Sequence, residues 1–410
     1  MYLSMVFSKP HHGNHTSITS ALCILFFIKG TSMLCNGFSD TKTHQAAVSA
    51  AHQRRHRHTF LFSQVQNSEA IDDEMLSKRE ALLLRNKGNP ERLVEWALSN
   101  ESESPDDDTS VGAPVTIGPS TIGNGNGLFV TRSFKRNELI MTIPHDNVIS
   151  IENAWEDESL GPEFMYLTDV GGPGAKLATL VGFVAKEACG QIDGIFDLNY
   201  GNNCISSYWQ EYFDCLPWTD DHPLWWSDEE TNRLLKGSVV DEEVTSMRIQ
   251  VSNAVENMKV LFSNYCINDQ MSKAETDNAT VDIDENMEAR AMETIEIAVR
   301  SAFCMLLSRA FEDQETDCVK LIPLLDMTQH TEEADENISH STHPATGNIR
   351  VTAKRDLDAG EELFNCYSTT LSVAQFLPVF AFVPNEMGVS GRQLLEDKDP
   401  IFFPVETATR

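Results

Sequence analysis

Asp326-Met-Thr-Gln-His330 decides how this chain is read. It is a polar turn that follows the apolar run Leu321-Ile-Pro-Leu-Leu325, and Arg309 precedes its aspartate by 17 residues. A histidine alone in a loop is ordinarily solvated, but the apolar lead-in, Asp326 and the spacing single His330 out from that ordinary case. Upstream, Ser308-Arg-Ala-Phe311 closes a helical pattern over Thr294–Ala310, with Ile295, Ala298, Val299, Ala302, Phe303, Leu306 and Leu307 on one broad face. An arginine there could simply answer the carbonyls of its own helix end. Downstream, Glu361-Glu-Leu-Phe-Asn-Cys-Tyr367 reads as a short strand entered through Asp358-Ala-Gly360 and ended by a tyrosine. Far upstream lies Gly123-Asn-Gly-Asn-Gly127. Its G-x-G-x-G spacing is not that of a dinucleotide loop, and β-like residues follow it rather than a helix. By itself it is a glycine-rich hairpin turn, of a kind that lets backbone approach a ligand closely.

Taken in order, these segments resemble the SET-domain methyltransferases, in the branch of the Rubisco large-subunit lysine methyltransferase and the actin-histidine methyltransferase. The resemblance runs over about residues 70–385. It implies an α+β fold: short β-sheets with a knot-like C-terminal part, interrupted by a mainly helical insert, with a truncated helical extension at the end. It also implies S-adenosylmethionine as cofactor, met by Asn124, Gly125, Asn126, Arg309, Gln329 and His330. Tyr367 would be the catalytic residue, its hydroxyl on the methyl-transfer axis. Phe311, Asp326 and Phe380 would line the substrate side. Histidine-directed relatives carry Asn two residues after the arginine, so Phe311 tilts the reading toward lysine. Three positions depart from the family pattern: Gln329 for Asn, Ser368 for Gly, and Phe380 for a second pocket tyrosine. The extra methylene of Gln329 moves its amide by about 1.5 Å. Losing the hydroxyl at 380 leaves room for a water, which implies higher methylation states. Tyr208-Trp-Gln-Glu-Tyr-Phe-Asp-Cys-Leu-Pro217 resembles the insert's W-x-x-Y-x-x-x-L-P segment, where aromatics build a core.

The implied activity is protein-lysine N-methyltransferase on a non-histone protein. The alternatives are a catalytically degenerate SET-like module that binds a peptide, and a protein-histidine methyltransferase. The nine cysteines include no C-x-x-C pair and no Cys/His cluster at zinc spacing, so no metal site is expected. From Glu69 onward 61 acidic residues face 25 Lys and Arg, a formal −36. Such a body repels phosphate backbones, so no nucleic-acid partner is expected, and a protein substrate is. Neither membrane association after leader removal nor oligomerisation is expected.

The organisation reads as follows. Residues 1–68 are a targeting leader: an apolar core at 21–28, too short to span a bilayer, then an acid-free stretch with arginines, Ser and Thr. That two-part pattern is plastid-like; mitochondrion, secretory pathway and cytoplasm are the alternatives. Residues 69–110 form a helical lead-in, broken at Asn89-Pro90, and an acidic linker. Residues 111–152 hold the N-terminal SET part, with β runs at Val115–Ile117, Leu128–Val130 and Leu139–Ile143 and turns at Asn126-Gly127 and Lys135–Asn137. The helical insert spans 153–293 and includes a flexible acidic loop, Cys266–Met287. The C-terminal SET part spans 294–372, with a polar loop at Thr331–Gly347 and strands Ile349–Ala353 and Glu362–Cys366. Residues 373–410 begin a C-terminal helical region, with a helix from Gln375.

Overall fold

The computed structural model describes residues 88–99, 113–123, 125–172, 174–189, 207–216, 222–238, 240–277 and 285–384. The leader, residues 69–87 of the lead-in, the acidic linker, Asn124 and the residues after Pro384 lie outside the described residues. Helix α1 (Pro90–Leu98) starts where Asn89 caps it, accepting from the amides of Glu91 and Arg92, with proline in the first turn. Strands β1 (Val115–Pro119) and β2 (Asn126–Val130) form an antiparallel hairpin in register from Val115–Val130 to Pro119–Asn126. Asn126-Gly127 therefore lies inside β2, not in the turn. The turn is the segment before it, where Gly125 takes φ +104°.

Among the described residues, strand β3 (Leu139–Ile143) leads into seven α-helices: α2 (Ile151–Trp155), α3 (Gly161–Val170), α4 (Ala175–Cys189), α5 (Gln210–Cys215), α6 (Asp228–Leu235), α7 (Asp241–Asp277) and α8 (Glu285–Arg309). Of the expected loop Cys266–Met287, residues 266–277 and 285–287 are helix, and 278–284 lie outside the described residues. The stretch contains neither glycine nor proline to break a helix. After α8 come β4 (Phe311–Asp313) and β5 (Cys318–Lys320), an antiparallel pair.

The two-residue strand β6 (Gln329–His330) runs parallel to β9 (Phe364–Asn365). Strand β7 (Ile338–Thr342) arises within the expected polar loop Thr331–Gly347. It pairs with β8 (Ile349–Ala353), whose other edge holds β3. Its anchor is Ile338, fully buried among polar neighbours at the sheet edge. The segments 349–353 and 362–366 thus belong to different sheets. Helix α9 (Val373–Phe380) begins at the capping box of Ser372 and Gln375, two residues earlier than expected. One large apolar core joins α1, the sheets and most of the insert. A smaller one seats α9 on the insert, with Leu377 and Ala374 against Trp226, Leu235 and Val244.

Candidate active site

Helix α8 ends at Arg309, and the apolar run behind it brings Asp326 back to that end. Leu324 in that run takes φ +68°, a costly conformation for a branched residue, and it turns the chain into the short 3-10 turn 325–327. Arg309 Nη1 donates to the Asp326 carboxylate at 3.2 Å and to its backbone carbonyl at 3.1 Å. Tyr212, on α5 of the insert, donates its hydroxyl to the same carboxylate oxygen at 2.9 Å. Burial pushes the Asp326 carboxyl up, against the pull of Arg309 and Tyr212. Because the Asp326 side chain is fully enclosed, its observed work is to hold Arg309. Both bonds use Nη1; among the described residues Nη2 and Nε of the planar guanidinium have no other hydrogen-bond partner and are available to an anion. Tyr212 is the member of this group that sequence reasoning placed only in the insert's core. Its place in the W-x-x-Y segment was the available signal.

From the turn, β6 carries Gln329 and His330 beside β9. Gln329 Nε2 donates to the carbonyl of Asn126 at 2.7 Å, tying the motif to the glycine turn 203 residues away. His330 Nδ1 accepts the backbone N–H of Tyr367 at 3.2 Å, so the neutral ring carries its proton on Nε2. Burial lowers His330 to about 4, which keeps it neutral at physiological pH. Tyr367 donates its hydroxyl to the carbonyl of Thr328 at 2.6 Å. Burial raises the phenol above its ordinary range; Arg309 pulls it down and Asp326 pushes it up. Tyr367 therefore stays protonated, a hydrogen-bonding group and not a base.

An aromatic cluster surrounds this pair. His330 lies 4.8 Å from Phe376 and 5.9 Å from Phe382, and Tyr367 lies 5.1 Å from Phe380, between ring centroids. Phe376 and Phe382 went unnoticed in the sequence, because a helical aromatic repeat reads as ordinary core. Phe311 sits apart from them, edge-on to His340 at 5.2 Å. Gly125 is exposed at the turn, with open space where a side chain would stand. Asn124 lies outside the described residues.

Arg309, Asp326, Gln329, His330, Tyr367, Phe380 and Asn126, which follows the turn at Gly125, are thus linked by contacts into one region. Phe311 is not part of that network. The donor set fits S-adenosylmethionine: a guanidinium with free donors for a carboxylate, exposed backbone at a glycine turn, and aromatic faces for a base. A cavity of about 650 Å³ opens beside the turn, lined by Ile122, Arg136, Thr331, Glu336, Lys354 and Phe364 among others. None of the expected site residues lines it, and its charges are mixed in sign. Among the described residues no group of three or more His, Cys, Asp or Glu could hold a metal ion.

Comparison with known proteins gives a consistent picture. Residues 125–368 match the family model described as SET domain. An actin-histidine N-methyltransferase of Canis lupus familiaris is 25% identical over 253 residues, 62% of this chain and 37% of that protein. The chloroplastic ribulose-1,5 bisphosphate carboxylase/oxygenase large subunit N-methyltransferase of Pisum sativum is 23% identical over 302 residues, 71% of this chain and 53% of that protein. A solved structure of Rubisco LSMT bound to AdoMet aligns at a TM-score of 0.48 and 19% identity, covering 72% of this chain and 57% of that one. The chain spans about half or less of the length of the two curated relatives.

Proposed function

The chain belongs to the SET-domain family, and on that premise we propose that it is an S-adenosylmethionine-dependent protein N-methyltransferase acting on lysine. The observation that carries this reading is the contact network joining the glycine turn, Arg309, His330 and Tyr367, which lie up to 242 residues apart in the chain. The cofactor would supply a methyl group on a sulfonium, the electrophile for an amine. Arg309 would take its carboxylate, the backbone at Gly125-Asn126 its amino-acid portion, and His330 Nε2–H with Phe376 and Phe382, which lie against that ring, its nucleoside.

The acceptor must shed a proton. A lysine with pKa ~10.4 is only about one part in a thousand neutral near pH 7.4, roughly 4 kcal/mol of barrier. The apolar ring of Phe380, which lies against Tyr367, disfavours an ammonium and lowers that figure. Tyr367, held protonated, would orient the amine and need not accept its proton. Holding amine and methyl in line supplies much of the remaining rate. Support for lysine over histidine comes only from the residue type at 311, Phe where histidine-directed relatives carry Asn, since its ring lies against His340 and outside the network. The likeness to an actin-histidine methyltransferase supports the second reading, histidine methylation.

The test has two stages. Saturating S-adenosylmethionine or S-adenosylhomocysteine should raise the melting temperature, corresponding to about 2.7 kcal/mol at one hundred times Kd. No response would leave a peptide-binding module as the better reading. Radiolabelled methyl transfer to protein lysates, followed by acid hydrolysis, should then yield methyl-lysine. Methyl-histidine instead would overturn the lysine assignment.

A further inference from the structure

Beneath the glycine turn lies a carboxylate that the proposed chemistry does not use. Glu362 is 3% exposed. Its Oε2 accepts the backbone N–H of Thr121 at 2.8 Å and also the Thr121 hydroxyl. Its Oε1 is buried with no hydrogen-bond partner among the described residues. That oxygen is turned against Gly127, where a Cβ would collide with it. Backbone bonds on either side tie the main chain that carries Glu362 to β2: Leu363 N–H to the Leu128 carbonyl at 2.7 Å, and Val130 N–H to the Glu361 carbonyl at 3.0 Å. Asn337 Nδ2 donates to the Glu362 carbonyl at 2.8 Å. Tyr367 lies five residues further along the same segment.

Burying a carboxylate with one oxygen unpaired is costly, and an apolar side chain would fill the space at lower cost. What an apolar residue cannot do is hold Thr121 at the start of the turn. We infer that Glu362 is a positioning residue for the cofactor: through Thr121 and Gly127 it sets the depth at which the backbone of residues 125–127 meets S-adenosylmethionine. This rests on the methyltransferase reading. Oε2 fixes the entry of the turn, and Oε1 occupies the space that a side chain at 127 would need. Glu362 itself stands on the segment that ends in Tyr367, so cofactor loop and catalytic tyrosine share one support.

The experiment compares the full chain with its E362A, E362Q, G127A and G127A/E362A variants, each with S-adenosylmethionine titrated against a fixed excess of lysate protein as methyl acceptor. E362A should raise KM for S-adenosylmethionine about tenfold or more, with kcat within about threefold. E362Q, which keeps an acceptor for Thr121, should stay within about threefold of wild type in both constants and guards against loss of folding in E362A. G127A should raise KM like E362A, but much less in the E362A background, because the collision is then gone. Independent, multiplying effects of G127A and E362A would overturn the inference, as would a fall in kcat at unchanged KM. A wild-type chain that binds no cofactor would withdraw the methyltransferase reading and this inference with it. A wild type that binds, alongside variants that bind equally well, would withdraw the inference alone.

Discussion

Tyr367 shows how one side chain is constrained from several directions. Its amide is held by His330, its ring lies against Phe380, and its hydroxyl is given to Thr328. The phenol's raised pKa leaves it a proton donor across the physiological range. In Y367F the Thr328 carbonyl loses one partner, which costs about 1 kcal/mol of stability. Ring packing and the His330 bond remain. Methyl transfer in a single turnover should therefore fall at least about a hundredfold, while the affinity for S-adenosylhomocysteine changes little, since only a contact to the reacting centre is lost. Near-wild-type transfer by this variant would remove the hydroxyl from the mechanism. The role of such a tyrosine is legible in sequence only by resemblance. Its immediate neighbours are ordinary strand residues, and the carbonyl it meets belongs to a turn 39 residues earlier.

Among the elements, the regular ones follow from their own residues and the exceptions from their partners. Helix α1 lies where its cap and periodicity place it, because both are local. The strands of the hairpin β1–β2 follow their apolar runs although the turn falls before Asn126, and α8 keeps its expected end at Arg309 but starts at Glu285, ahead of the expected Thr294. Strand β7 does not, since its polar sequence becomes a strand only beside β8. The union of lead-in, SET part and insert is equally hidden, and it converges on Asn147. This buried side chain donates Nδ2 to the carbonyls of Trp96, Ala97 and Ser99 at 3.0, 3.1 and 3.3 Å, answering the open C-terminus of α1. Its Oδ1 accepts the hydroxyl of Tyr208 from the insert at 2.6 Å. N147A should therefore cost about 2–3 kcal/mol, seen as a lower urea midpoint, since several buried groups lose their partner together. N89A, which removes only an exposed N-cap, should cost about 1 kcal/mol. Equal effects of the two would show that Asn147 is a cap like any other and not a junction.

At the scale of the whole molecule, the order of motifs was readable because the site is assembled from segments that each leave a local mark: glycines, a helix-ending arginine, a histidine after an apolar run, a strand-ending tyrosine. What ties them is not local. Asp326 engages Tyr212 and Arg309, Glu362 holds Thr121, and Gln329 reaches Asn126; each pair is separated by many residues and neither partner's neighbours announce it. The same burial that assembles the site also sets a limit on the conditions in which it survives. Burial lowers His222, His330 and His340 each to about 4; the Pro378 and Val379 carbonyls resist this at His222, and Lys320 adds to it at His340. The unfolded chain would protonate these histidines near pH 6.5. Between pH 6.5 and 4 the unfolded state therefore binds more protons than the folded one, and stability falls as pH falls. Above pH 6.5 the contribution is fully present. Each histidine adds up to about 1.4 kcal/mol per pH unit within that window. The lowered carboxylates, such as Asp157 and Glu296, take effect only below their own ordinary range near pH 4. The melting temperature should thus hold level from pH 8 to 7 and drop steeply from 6.5 to 5. H340Q, at a half-buried position, should shallow that slope by about one proton's worth. A profile flat from pH 7 to 5 would mean that these rings are already protonated, or wetted, in the folded protein.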